Sequence, residues 1–134
     1  MPHSVSVKDY MADHLVTFTP DMDLQAAVDA LLEKGISGAP VIDKLGNIVG
    51  ILSERDCLKV TLNASYYGEK IGKVADFMTT QVKTIEIDTS ILEVAKLFLE
   101  HPYRRYPVVD DNRLVGQISR RDVLRALQRL WQAW

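Results

Sequence analysis

Cysteine occurs once in this chain, at Cys57, so no disulfide can form within it and a reducing compartment suits it. A reactive thiol needs an electropositive setting. Arg55 is near in sequence, but Cys57 falls where a second copy of the same stretch has Val123, and it reads as a small packed residue. Histidine is nearly as scarce. His3, His14 and His101 are scattered, with no Cys/His/Asp spacing suited to a metal, and His101 reads as the cationic end of a helix. There is no Gly-rich phosphate loop of the Walker or Rossmann kind, and no nucleophile is spelled out beside an oriented base. The expectation is a protein that is not an enzyme, with no metal site and no tightly bound cofactor. No apolar run approaches the roughly 20 residues needed to span a bilayer. The opening "MPHSVSVKDYMAD" lacks the basic-then-apolar layout of a secretory signal. A cytoplasmic protein is expected, with no membrane partner.

A strong basic excess is also missing. The formal net charge is −2, which argues against a dedicated nucleic-acid binder. The distribution is nevertheless uneven, with 5 Lys/Arg against 9 Asp/Glu up to residue 67 and 11 against 9 thereafter. Arg55 is the lone arginine of the first half, whereas Arg104, Arg105, Arg113, Arg120, Arg121, Arg125 and Arg129 all lie in the second. The guanidinium fork suits phosphate oxygens; a solvated helix face is the competing explanation.

What the chain does contain is one unit written twice. "VKDYM" (7–11) matches "VADFM" (74–78) at an offset of 67, and Thr17, Asp21 and Pro40-Val41 then meet Thr84, Asp88 and Pro107-Val108. One residue drops out of the second turn. From there Gly50, Ser53, Arg55, Asp56 and Leu58 meet Gly116, Ser119, Arg121, Asp122 and Leu124 at an offset of 66. Matches over such a length, with one slip inside a turn, mark a duplication.

Each copy reads as β-α-β-β-α. A short extended piece ("LVTFT", "VKTIEI") precedes a helix whose apolar residues recur at i, i+3, i+4, i+7 and i+8. These are Leu24, Ala27, Val28, Leu31 and Leu32, then Ile91, Val94, Ala95, Phe98 and Leu99. Asp23 and Ser90 are the expected N-caps, the latter in a capping box with Glu93. A hairpin follows in each copy, "APVID" to "NIVGILS" through Lys44-Leu45-Gly46, and "YPVVD" to "RLVGQIS" through Asp111-Asn112. Pro40 and Pro107 are expected at strand starts. A last helix begins after Ser53 and after Ser119. The stretch 61–72 connects the copies, and its Tyr66 and Tyr67 pack on the core or line a pocket. The fold class is therefore α+β. One copy alone buries only part of its apolar surface, so two copies packed together through a pseudo-twofold are expected, with equivalent clefts at the seam.

The pattern "GISGAPVID", turn, "IVGILSERD" resembles a CBS (cystathionine β-synthase) domain, and two in tandem resemble a CBS pair, or Bateman module, of repeats 1–66 and 67–134. The resemblance covers essentially residues 5–130 and implies a module packed sheet to sheet, here without an attached enzyme or transporter. It implies a regulatory protein that binds AMP, ADP, ATP or S-adenosylmethionine in its clefts and signals to a separate partner. Energy sensing belongs to the same implication.

The resemblance also assigns residues. The Ser/Thr-x-x-Asp aspartate holds ribose in the family, and here falls on Ser53/Asp56 and Ser119/Asp122. Physically, a carboxylate can accept both vicinal hydroxyls of a ribose, while Arg55 or Arg121 can add a contact to phosphate. Ser-x-x-Asp at a helix start is equally close to a capping box. The adenine positions implied are Thr17, Ile36, Ser37, Gly38, Ala39 and Pro40, and in the second copy Thr84, Tyr103, Arg104, Arg105, Tyr106 and Pro107. Gly38 and Ala39 leave room for a base. Arg105 and Tyr106 either stack on one or fill the space, so equivalence of the two sites is open.

A ligand-independent interaction protein is the rival reading. "RRDVLRALQRLWQAW" places Val123, Leu127, Leu130 and Trp134 on one helical face with Leu124 and Trp131 adjacent, which suits a homodimer contact.

Overall fold

The computed structural model describes residues 5–62 and 71–132. His3, Tyr66, Tyr67, Gly68 and Trp134 lie outside the described residues. The elements run α1 (Leu24–Lys34), β1 (Gly38–Ile42), β2 (Ile48–Ser53), α2 (Glu54–Leu58), α3 (Val74–Phe77), β3 (Ile85–Glu86), α4 (Ile91–Glu100), β4 (Arg105–Asp110), β5 (Arg113–Ser119) and α5 (Arg120–Gln132). The architecture is mixed α+β, with the full β-α-β-β-α order in copy two and the same order without its leading strand in copy one. The first extended piece of copy one is reduced to a single parallel bridge, Phe18 to Val41, at the place where copy two has β3 beside β4.

The compact units are offset from the repeats 1–66 and 67–134 that the sequence leads one to expect. One unit is Val16–Val82. The other joins the described residues up to Leu15 to those from Lys83 onward. In the first unit, α3 and the residues after it lie along β2, with Ile51 and Thr79 exchanging backbone hydrogen bonds of 2.9 and 2.8 Å. In the second unit the matching leading segment does the same with β5, through Ala12 and Gln117 at 2.8 Å both ways. Each "VxDxM" segment is therefore packed on a hairpin belonging to the other repeat.

Each unit has its own core. Phe18, Leu24, Ala27, Leu31, Ala39, Val41, Leu52, Val74 and Phe77 are buried together in the first. Val7, Ile85, Ile91, Val94, Tyr106, Val108, Ile118, Val123 and Ala126 are buried together in the second. The alternating burial of β2 is the period-2 pattern of a strand with one covered face. The helical stripes divide: Leu24, Ala27 and Leu31 face the core, whereas Leu32 is exposed, and α4 repeats this with Ile91 and Val94 inside and Leu99 outside.

Helix starts differ from expectation in two places, at Asp23 and at Ser90, where only the serine half of the capping box with Glu93 is formed. Asp23 occupies the N-cap position of α1 with an extended backbone but makes no side-chain cap bond. Its carboxylate instead receives Lys73 Nζ at 2.8 Å, an ion pair offered by the segment before α3. Ser90 does cap α4, accepting the Glu93 N–H at 3.2 Å. Helix α1 ends at Gly35, whose left-handed φ of 63° lets the Ile36 N–H turn back to the Leu31 carbonyl. Helix α4 ends instead at an extended His101 before Pro102.

The prolines are not at strand starts. Pro40 and Pro107 are each the third residue of their strand. The Pro40 carbonyl accepts the Phe18 N–H and the Ile42 N–H donates to the Phe18 carbonyl, so the missing Pro40 N–H points to that side one step before the bonding begins. The ring therefore interrupts nothing. The two turns also differ in kind. Asp43 organises the longer first loop by accepting the Leu45 and Asn47 N–H groups, both at 2.9 Å. The second is a two-residue turn in which Asp111 (φ 51°) and Asn112 (φ 67°) are both left-handed, the geometry that matches strand twist.

Candidate functional site

In both units the repeated motif bends a strand into a helix. Ser53 ends β2 with an extended backbone and caps α2: its Oγ accepts the Asp56 N–H at 3.1 Å, and Asp56 Oδ2 accepts the Ser53 N–H at 3.0 Å. The capping box is thus formed. In the second unit Asp122 Oδ2 accepts the Ser119 N–H at 2.8 Å and the Ser119 hydroxyl at 3.0 Å, and Ser119 Oγ accepts the Asp122 N–H at 3.3 Å. Both aspartates are buried, and they are the only buried charged groups among the described residues. Buried carboxylates require donors, and capping supplies only part of them.

The remaining donors come from residues that the sequence does not flag. Asp56 Oδ1 receives Lys59 Nζ at 2.8 Å and the Thr79 hydroxyl at 3.0 Å. Asp122 Oδ1 receives the Arg125 guanidinium. Lys59 and Arg125 occupy the same place in the two copies, three residues after the aspartate, and that coincidence was the available signal. Thr79 has none, since it arrives from beyond α3. Burial pushes the Asp56 pKa up, but the bonds from Lys59, Ser53 and Thr79 outweigh it and hold the carboxyl below its ordinary value.

Strand pairing brings the adenine candidates beside this motif. Gly38 pairs with Ser53, and the Ser37 carbonyl accepts the Glu54 N–H at 2.8 Å, so residues 36–40 lie along the strand that ends in the motif. Ser37 and Arg55 are exposed, Thr17, Ile36 and Gly38 half-buried, Ala39 and Pro40 buried. In the second unit Arg105 pairs with Ser119, and the Arg104 carbonyl accepts the Arg120 N–H at 3.3 Å. Tyr103, Arg104, Arg105 and Arg121 are exposed, Thr84 half-buried, Pro107 buried.

Tyr106 is a core residue. It is 1% exposed, its ring lies 4.8 Å from that of Phe98, and its hydroxyl donates to the Leu97 carbonyl at 3.2 Å. Tyr103 meets it edge-on at 5.6 Å. The volume that Ala39 leaves in one unit is thus occupied by an aromatic side chain in the other.

Cys57 is half-buried and lines a groove of about 540 Å³ between α1 and α2, with Leu24, Val28, Leu58, Val60 and Ile71. Burial and the neighbouring Asp56 and Glu54 carboxylates push its thiol pKa up, away from a reactive thiolate. Neither Ser53 nor Asp56 lines that groove. Among the described residues no cluster of His, Cys, Asp and Glu could hold a metal ion, and no helix is long and apolar enough to cross a membrane.

Two copies of a strand-to-helix motif, each on its own hairpin, agree with what a family comparison finds. The CBS domain model matches twice, over residues 7–63 and 74–129. The chain belongs to the CBS-domain family. The CBS pair is similar to CBSX2 of Arabidopsis thaliana, whose structure in complex with AMP shares 32% identity and a TM-score of 0.81 over 94% of this chain and 98% of that one. It is similar also to the CBS domain pair of MJ0100 in complex with 5′-methylthioadenosine and S-adenosyl-L-methionine, at 25% identity and a TM-score of 0.73 over 95% and 98% of the two chains. Among curated relatives it is 27% identical to protein MJ1225 of Methanocaldococcus jannaschii over 93% of this chain, but spans only 44% of that relative. It likewise spans 21% of the inosine-5′-monophosphate dehydrogenase of that organism.

Proposed function

We propose that this CBS pair is a regulatory module that binds an adenosine-containing ligand through Asp56 and Asp122 and signals its occupancy to a separate protein. The reading rests chiefly on one observation: a buried carboxylate recurs at the same place in both units, at the mouth of a strand-to-helix turn with a half-exposed serine beside it. A carboxylate so placed can accept the two hydroxyls of a ribose. The helix start and the exposed Arg55 or Arg121 suit a phosphate. Solved relatives carrying AMP, or methylthioadenosine with S-adenosylmethionine, support the adenosyl class. AMP, ADP and ATP are the ligands proposed, with S-adenosylmethionine as the alternative. Catalysis has no part in the proposal.

The same module pairs with a second copy of itself. Leu32 and Leu99 occupy matching positions and are 72% and 88% exposed, and Leu58 and Leu124 match in the same way. Equivalent leucines left on the surface of both units suit a repeated contact.

Calorimetry with AMP, ADP, ATP and S-adenosylmethionine tests the ligand, on the wild type and on Asp56→Asn and Asp122→Asn. At least one ligand binds, and the substitutions weaken it. No heat from any of the four, or affinities untouched in both variants, sinks the ribose assignment. A dimer indifferent to every nucleotide then favours a pure interaction protein.

A further inference from the structure

The two buried carboxylates each accept three bonds, but the side-chain hydroxyl arrives on a different oxygen in each, from Thr79 on Asp56 and from Ser119 on Asp122. Asp56 Oδ1 already accepts two, Lys59 Nζ and the Thr79 hydroxyl. Asp122 Oδ1 accepts Arg125, and the residue that matches Thr79 in its unit is Ala12, which has no hydroxyl to offer. The backbones are otherwise alike. Thr79 is fixed to β2 by its two bonds to Ile51, as Ala12 is fixed to β5 by its two bonds to Gln117. The Thr79 backbone is therefore held beside Asp56 by a strand-like contact, from which its hydroxyl reaches Oδ1. A carboxylate oxygen has two lone pairs, so Asp56 is full at Oδ1, whereas Asp122 is full at Oδ2, where the Ser119 N–H and hydroxyl both arrive, and keeps one place open at Oδ1.

We propose that Thr79 occupies on Asp56 the place of a ligand hydroxyl, and so lowers the affinity of the Asp56 site for a vicinal diol. The proposal rests on the ribose reading of the two aspartates and names the residue that competes with the sugar at Asp56. A diol reaching Asp56 must displace the hydroxyl of Thr79, a residue that is itself exposed. A diol reaching Asp122 displaces nothing at Oδ1 and meets the Ser119 hydroxyl at Oδ2. The larger side chains Arg105 and Tyr106 bear on the base; Thr79 bears on the sugar.

AMP calorimetry in an Asp122→Asn background isolates Asp56. There Thr79→Val, which keeps the shape and removes the hydroxyl, tightens AMP about fivefold, the worth of one net hydrogen bond. Thr79→Ser leaves the affinity unchanged. With 2′,3′-dideoxyadenosine monophosphate the gain from Thr79→Val disappears, a readout that a merely structural role would not move. The reciprocal Ala12→Thr, in an Asp56→Asn background, weakens AMP at Asp122. Affinity unchanged or lowered by Thr79→Val, or a gain that persists with the dideoxy ligand, overturns the proposal and leaves the ribose reading standing. AMP binding that survives Asp56→Asn and Asp122→Asn together overturns both. A background silent to AMP with and without the Thr79→Val change also counts against the proposal.

Discussion

Gly50 lies directly beneath Met78: a Cβ at Gly50 would stand 2.7 Å from Met78 Sδ and 3.0 Å from the Thr79 carbonyl oxygen. The other unit repeats the relationship, with a Cβ at Gly116 falling 2.5 Å from Met11 Sδ and 2.9 Å from the Ala12 carbonyl oxygen. The glycine that opens each motif is thus a crossing point. It lets the "VxDxM" segment of one repeat lie on the hairpin of the other.

Alanine at either glycine should therefore destabilise its unit by about 1–3 kcal/mol, the usual range for overpacking a filled site. The methionine side chain can move aside, but the carbonyl cannot without losing the Ile51–Thr79 or Ala12–Gln117 bonds. Urea midpoints of Gly50→Ala and Gly116→Ala test this. Wild-type midpoints in both would show that the segments pass the hairpins more loosely than described.

Tyr106 yields a graded prediction. Its hydroxyl donates to the Leu97 carbonyl, which also accepts the His101 N–H at 3.1 Å, so Tyr106→Phe leaves no orphaned acceptor. That change should cost only about 0.5–1 kcal/mol. Tyr106→Ala removes a ring that is 1% exposed and should cost about 3–5 kcal/mol through the void left behind. Equal losses for the two variants would mean that the hydroxyl, not the packed ring, dominates.

What was legible in the sequence was local in origin. The stripe Leu24–Ala27–Leu31, the alternation of β2, the Asp111-Asn112 turn and the Ser-x-x-Asp bend each depend on neighbours a few residues away. Doubling the stripe across an offset of 67, and the strand and bend across 66, makes those three secure. What escaped depends on distant chain. Lys73 draws Asp23 away from its cap across fifty residues, and Thr79 reaches Asp56 from beyond α3. No periodicity announces which repeat a "VxDxM" segment will lie upon, so the purpose of Gly50 and Gly116 stayed hidden although both were seen to match. The prolines were misplaced for a related reason. Their tolerance depends on where the Phe18 contact begins, which is a fact of pairing and not of composition.

The donors around Asp56 make stability depend on acid in a definite direction. Burial raises its pKa, and the bonds from Lys59, Ser53 and Thr79 lower it by more, so the folded value lies below the ordinary 3.8. A carboxyl depressed on folding contributes its full stabilisation above the unfolded value, and loses it as the pH falls through the folded one. Wild type should therefore lose stability as the pH drops below 3.8, and Asp56→Asn should lose less over that interval. Asp43 is also depressed, since desolvation raises it but its bonds to Asn47, Leu45 and Gly46 together lower it by more; it is present in both proteins and cancels in the difference. Lys59→Met should narrow the same gap, since the ammonium is the leading bond that favours the charged form. Urea midpoints of the three proteins at pH 7, 5, 4 and 3 decide the matter. A gap between wild type and Asp56→Asn that stays constant across that series would show that the carboxylate gains nothing from its donors on folding.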